Sequence, residues 1–153
     1  IVKLAASLGI EIPILGGDTL DSNMVLEAAA GSDVQLYVST FYQEGGSPEF
    51  DEGFKAWLSE DSTAMTNNGG NDTIAAVTAM GYDAYYVALE ALKAAGSTDK
   101  AAVKAALPDV TYTGVSGSIA FDEQGDAIRD TAYIKTADTA NNAWTLETVQ
   151  TVE

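Results

Sequence analysis

An α/β fold, with a parallel sheet flanked by helices and a β-rich C-terminal segment, is predicted by three observations. Helical and extended periodicities alternate over the first forty residues, and the β-prone run VQLYVSTFY closes that alternation. Helix patterns then hold the middle of the chain, and from residue 112 onward the pattern turns to strands.

The elements follow in order. Ile1, Leu4, Ala5 and Leu8 share one helical face, and Gly9 stands where a left-handed residue ends a helix. Ile10, Ile12 and Ile14 alternate as a short strand, with Pro13 placing it at an edge or a strand start. That strand stops at two glycines and Asp18. Ser22 or Asp21 caps a helix through NMVLEAAA, which Gly31 closes. Residues 34–42 form the second strand.

Ser47 as N-cap and Pro48 at the first helical position open PEFDEGFKAWLSED, with Phe50, Phe54, Trp57 and Leu58 as its apolar stripe. STAMTNNGGND is expected to be a polar loop. The longest helix, about 73–95, carries Ile74, Val77, Gly81, Ala84, Ala88 and Leu92 on one face and ends at Gly96. A shorter helix in STDKAAVKAAL stops at Pro108. VSGSIAFDEQGDAIRDTAYIKTAD reads as two strands about a turn at DEQGD, and NNAWTLETVQTVE as a final strand after a second turn.

Composition narrows the function. Seven basic against 23 acidic residues leave a net charge of -16, which argues against nucleic acid and anionic lipid surfaces, since both need a basic face. Cysteine is absent, so there is no disulfide, thiol nucleophile or thiolate metal site. Histidine is absent too, which removes the usual general base and the triads built on it. No catalytic residue, metal site or cofactor is therefore expected. NNGGND (67–72) and DEQGD (122–126) lack the spacing of a calcium loop, and GGDTLDSN and GVSGSI match neither a dinucleotide nor a P-loop fingerprint. The longest apolar stretches fall well short of the ~20 residues of a membrane span. The chain opens directly in an amphipathic pattern, as expected of one that begins in mid-protein.

Asp18 is the candidate binding residue. In a parallel α/β sheet ligands sit at the carboxyl ends of strands, and a carboxylate there can meet an ammonium group on the bare backbone of Gly16 and Gly17. By local pattern it is equally a turn residue bonding its own backbone. Tyr82, Tyr85 and Tyr86 on the long helix, and Tyr37, Phe41 and Tyr42 at the second strand, either line a pocket or serve as half-buried packing.

GIEIPILGGDTLDSN, GYDAYYVALEALKAAGSTDKAAVKAAL and YTGVSGSIAFDEQGDAIRDTAYI, taken together and in this order, resemble the branched-chain amino-acid type of periplasmic solute-binding protein of ABC importers. The resemblance covers nearly the whole chain but only the later half of a two-lobed, type I protein with ~150 residues per lobe. It implies a partial type I fold in which the backbone crosses between lobes near 39–43 and again near 112–117. Residues 1–40 would belong to the C-terminal lobe, 41–114 to the helical part of the N-terminal lobe, and 115–153 would return to the C-terminal lobe.

The resemblance also implies roles. Asp18, with Gly17 and Thr19 beside it, would receive the α-ammonium group of an amino-acid-like ligand. Val77 stands where the family often has an aromatic contact, a departure that weakens the claim of a large apolar ligand. The family's carboxylate-binding residues lie upstream, outside this sequence. The partners implied are the small ligand and the membrane permease of an ABC importer. The location implied is extracytoplasmic, in the periplasm or as a cell-surface lipoprotein. Lacking its other half, the fragment is expected to form a homo-oligomer through the 48–58 helix or a sheet edge. Two alternatives stand beside this reading. One is an α/β hydrolase-like enzyme using Ser39 or Thr40 near Asp18, and the other is a sensor ectodomain of the same fold.

Overall fold

The structure, a computed structural model, describes residues 1–151. Helix α1 (Val2–Ser7) ends as its glycine predicts: Gly9 has φ +62° and its N–H donates to the Ala6 carbonyl. Strand β1 is shorter than the isoleucine alternation predicts and covers only Ile14–Gly16. Pro13 has no N–H to give, and pairing begins with the Ile14 N–H on the Gln35 carbonyl, so Ile10 and Ile12 stay outside the sheet. A 3₁₀ turn over Asp18–Leu20 leads into α2 (Asn23–Ala29), where the Ser22 hydroxyl accepts from the Val25 N–H. Between the two candidate caps, Ser22 is the one used. Strand β2 (Leu36–Thr40) lies parallel to β1.

Four helices follow. Helix α3 (Pro48–Glu60) starts at its proline, but Ser47 makes no side-chain cap bond. The buried Asp51 carboxylate orders this helix start instead, accepting from the Gly45 N–H and the Tyr42 hydroxyl. Burial and that carboxylate together push the Tyr42 phenol well above its ordinary range. The expected polar loop is partly helical: α4 (Ser62–Asn67) is capped by Asp61, which accepts from the N–H groups of Thr63 and Ala64. An aspartate two and three residues ahead of free N–H groups suffices to start a turn that polar composition hides. Helix α5 (Ala76–Ala95) ends in left-handed Gly96, and α6 (Lys100–Ala106) is capped by Asp99 and gives way to a 3₁₀ turn at Pro108.

On α5 the expected face is the wrong one. The buried residues are Ala76, Ala79, Asp83, Val87 and Ala91, while Val77, Gly81, Ala84, Ala88 and Leu92 face outward. The helix is apolar nearly all round, and tertiary contacts choose its inner side.

Strands β3 (Tyr112–Gly114) and β4 (Gly117–Ile119) form a separate hairpin. DEQGD is a turn, closed by Asp122 accepting from the N–H groups of Gln124 and Asp126, but only the Phe121–Ala127 bridge spans it. Strand β4 pairs back with β3 rather than across that turn. Strands β5 (Thr131–Asp138) and β6 (Ala143–Thr151) return to the main sheet, whose order is β1-β2-β5-β6. Pairing is parallel for β1–β2 and antiparallel for the rest, with a bulge opposite Ile134 and Lys135.

Three apolar clusters share no member. One joins α1 and α2 to the sheet through Val2, Ala5, Ala29, Val34 and Leu36. The second packs Phe50, Phe54 and Tyr42 against Ile74, Ala76 and Ala79, and the third joins Val87 and Ala91 to Val110 and Ile119. The sheet and the helical middle of the chain therefore have their own cores.

Candidate functional site

The carboxyl end of β1 presents Gly17, Asp18 and Thr19 at the surface. Gly17 has φ −84° and extended ψ, and a Cβ there would meet nothing within 4 Å. Neither backbone strain nor packing within this chain asks for glycine; its effect is bare backbone beside Asp18. The 3₁₀ turn satisfies itself through Leu20 N–H to Gly17 carbonyl and Asp21 N–H to Asp18 carbonyl, each at 3.0 Å. The half-exposed Asp18 carboxylate takes part in no ion pair among the described residues. Thr19 is exposed beside it.

Three residues on, Asp21 does the opposite. It is 2% exposed, and its Oδ2 accepts from Thr40 Oγ1 at 3.0 Å, Lys135 Nζ at 3.0 Å and the backbone N–H of Ala76 at 3.1 Å. Those donors come from the end of β2, from β5 and from the first residue of α5. Lys135 is buried as well, so each charge offsets the other's desolvation. Val77, the next residue of α5, is 55% exposed. Asp21 thus brings the strand-end turn and the Val77 turn together in one knot. The sequence offered Asp21 only as a helix cap; no local pattern marks its tertiary partners.

Asn23 makes a second tie. Its Nδ2 donates to the Asn68 carbonyl at 3.0 Å and to Asn71 Oδ1 at 2.7 Å, in the loop after α4. That loop is NNGGND, with Gly69 and Gly70 both at positive φ. Asn68 Nδ2 in turn donates to the carbonyls of Asn71 and Thr73.

The two predicted crossings are also joined. Asp83, fully buried in mid-α5, accepts from the N–H groups of Val115 and Ser116 at 2.8 Å and from the Ser116 hydroxyl at 2.5 Å. Arg129 donates to the Ser116 carbonyl at 2.9 Å and lies over the Phe41 ring, 5.2 Å from its centre. Sequence reading missed Asp83 and Arg129; a carboxylate inside an otherwise apolar helix was the available signal.

Thr40, offered as a nucleophile, is fully buried and gives its proton to Asp21, so it does not reach a substrate. Ser39 alternates to the other sheet face. The tyrosines form a chain of ring contacts, Phe50–Tyr82–Tyr86–Tyr112, with Tyr85 edge-on to Tyr86. Two concavities, about 570 and 550 Å³, lie near Lys135 with Trp144 and near Phe50 with Trp57. Neither takes in Asp18, Gly17, Thr19 or Val77, which stand on open surface. A ligand held at Asp18 needs a second wall that these residues do not supply.

The comparisons with known proteins agree with this architecture. The family model described as periplasmic binding protein matches residues 1–142. Among solved structures, a leucine binding protein, LivK, from Thermotoga maritima is 29% identical with a TM-score of 0.74, over 98% of this chain and 40% of that one. An ABC transporter substrate-binding protein from Desulfitobacterium hafniense, in complex with Leu, is 27% identical with a TM-score of 0.57, over 93% of this chain and 37% of that one. The branched-chain amino acid transporter substrate binding protein LivJ from Streptococcus pneumoniae, in complex with isoleucine, is 22% identical with a TM-score of 0.65 over 99% of this chain, and so shares the fold. No curated protein matches. The chain spans about 40% of the length of these solved relatives. With its α/β architecture and a family match over most of its length, this chain belongs to the periplasmic binding protein family.

Proposed function

We propose that this chain is the C-terminal part of an extracytoplasmic solute-binding protein that delivers an amino acid, or a similar small polar solute, to the membrane permease of an ABC importer. It performs no chemistry. Residues 1–40 and 115–153 form part of one lobe and 41–114 the helical part of the other, with the ligand between them. The carrying observation is Asp18: a strand-end carboxylate beside bare glycine backbone, with no ion pair among the described residues, next to a neighbouring aspartate that has three donors. A ligand's ammonium group supplies the missing cation, with Gly17 and Thr19 flanking it. Val77, short and apolar, offers the ligand a small apolar contact on the α5 side. The amino acids named for the relatives' complexes, leucine and isoleucine, are the first ligands to try.

The test is calorimetry on a full-length protein containing this chain. Asp18→Ala should cost roughly 2–5 kcal/mol of affinity for the amino acid bound, as a buried ammonium loses its partner. Unchanged affinity would remove Asp18 from the site. By itself the chain lacks the second wall, binds no amino acid tightly, and associates with copies of itself through its open apolar surface.

A further inference from the structure

The turn between β1 and α2 holds more polar contacts to the helical part of the chain than a connection needs. Asp21 reaches the Ala76 N–H, 55 residues away, and Asn23 reaches Asn68 and Asn71, 45 and 48 residues away. We propose that Asp21 and Asn23 are positioning residues, a two-point clasp that holds α5 and the 68–71 loop against the Asp18 turn and so sets Asp18 and Val77 on one ligand. This rests on the two-lobe reading above.

Three features carry it. First, the apolar clusters of the sheet unit and the helical unit share no member. Second, both ties are hydrogen bonds. Such contacts fix direction as well as distance, as a positioning contact must. Third, the receiving loop is shaped for its partner. Gly69 and Gly70 take positive φ, a Cβ on Gly69 would press to 3.3 Å of Asn23 Nδ2, and Asn71 Oδ1 accepts both from Asn23 and from the Thr73 N–H. The glycine pair and asparagines of NNGGND thereby acquire a use beyond the turn. The Asp21 Oδ1 atom is buried without a partner among the described residues.

Because the chain has no cysteine, a spin-label pair can be placed cleanly. Glu27→Cys on α2 and Ala94→Cys on α5 are both exposed. Labelled chain is diluted with unlabelled chain, so that pulsed electron resonance reads distances within one molecule. The parent should give one narrow distance. Asn23→Ala combined with Asp21→Leu and Lys135→Met, which removes the clasp while replacing the ion pair by apolar groups, should add a longer-distance population at unchanged helix content. A narrow, unshifted distance in that variant overturns the proposal. Should the triple variant fail to fold, hydrogen exchange on the parent decides. The Ala76 amide should exchange as slowly as β2 amides, and exchange at the rate of an exposed loop amide refutes the clasp. Neither readout involves a ligand, so both stand apart from the fate of Asp18 as a binding residue.

Discussion

Asp18 and Asp21 lie one 3₁₀ turn apart, yet the fold uses only the second. Asp21 is neutralised by Lys135 and accepts from two further donors, whereas Asp18 takes part in no ion pair among the described residues. Asp83, like Asp21, is used within the fold, where one carboxylate caps the part-buried turn of the β3–β4 hairpin. Gly114 makes that contact possible, because a Cβ there would fall inside the Asp83 carboxylate. Gly114→Ala should therefore destabilise the protein by about 1–3 kcal/mol, the usual scale of overpacking. Gly53→Ala, inside α3 with nothing near its added methyl, should instead stabilise by about 0.5–1 kcal/mol. Urea unfolding of the two variants compares them directly, and equal midpoints would mean that the hairpin does not sit on Asp83 as closely as described.

At the scale of elements, the β5–β6 hairpin depends on the turn that follows Asp138. Its carboxylate accepts from the side chain of Asn141 and from the N–H groups of Asn141 and Ala140, and these bonds hold its pKa below the ordinary 3.8. A lowered carboxylate pKa means that the bonds favour the charged form. Their contribution is complete above pH 3.8 and is lost as the pH falls through the depressed folded value. An NMR titration should find Asp138 half-protonated below pH 3.8, with the Asn141 amide shift moving along the same curve. A midpoint at or above the ordinary value would show that the turn leaves this carboxylate free.

At the scale of the molecule, much apolar surface faces outward. Helix α5 shows Val77, Gly81, Ala84, Ala88 and Leu92, α3 shows Trp57 at 52% exposure, and β1 shows Leu15 at 71%. Among the described residues, strand β6 leaves its outer edge unpaired along Ala143–Thr151, with Glu147 at the bulge as a modest guard. Surface of this kind seldom remains in water. In sedimentation at micromolar concentration the chain should run as a dimer or larger species, shifted toward smaller species by Trp57→Glu. A well-folded monomer would show that these faces tolerate solvent, and would count against the two-lobe reading that leaves them bare.

The sequence by itself determined the α/β class, the order of the principal helices and strands, and most of their ends. Gly9, Ser22, Gly31, Pro48, Gly96 and Pro108 act through φ, a missing N–H or a side chain within three residues, so their effect is readable in place. The strand-end position of Asp18 was legible for the same reason, and the co-linear stretches already pointed to the family. Tertiary structure alone decided which side of α5 is buried and what Asp21, Asn23 and Asp83 hold. Each of those outcomes depends on groups brought from far along the chain: Lys135 lies 114 residues from Asp21, and Ser116 lies 33 from Asp83. A buried carboxylate is stable only beside its donors, and donors that distant leave no trace in local periodicity.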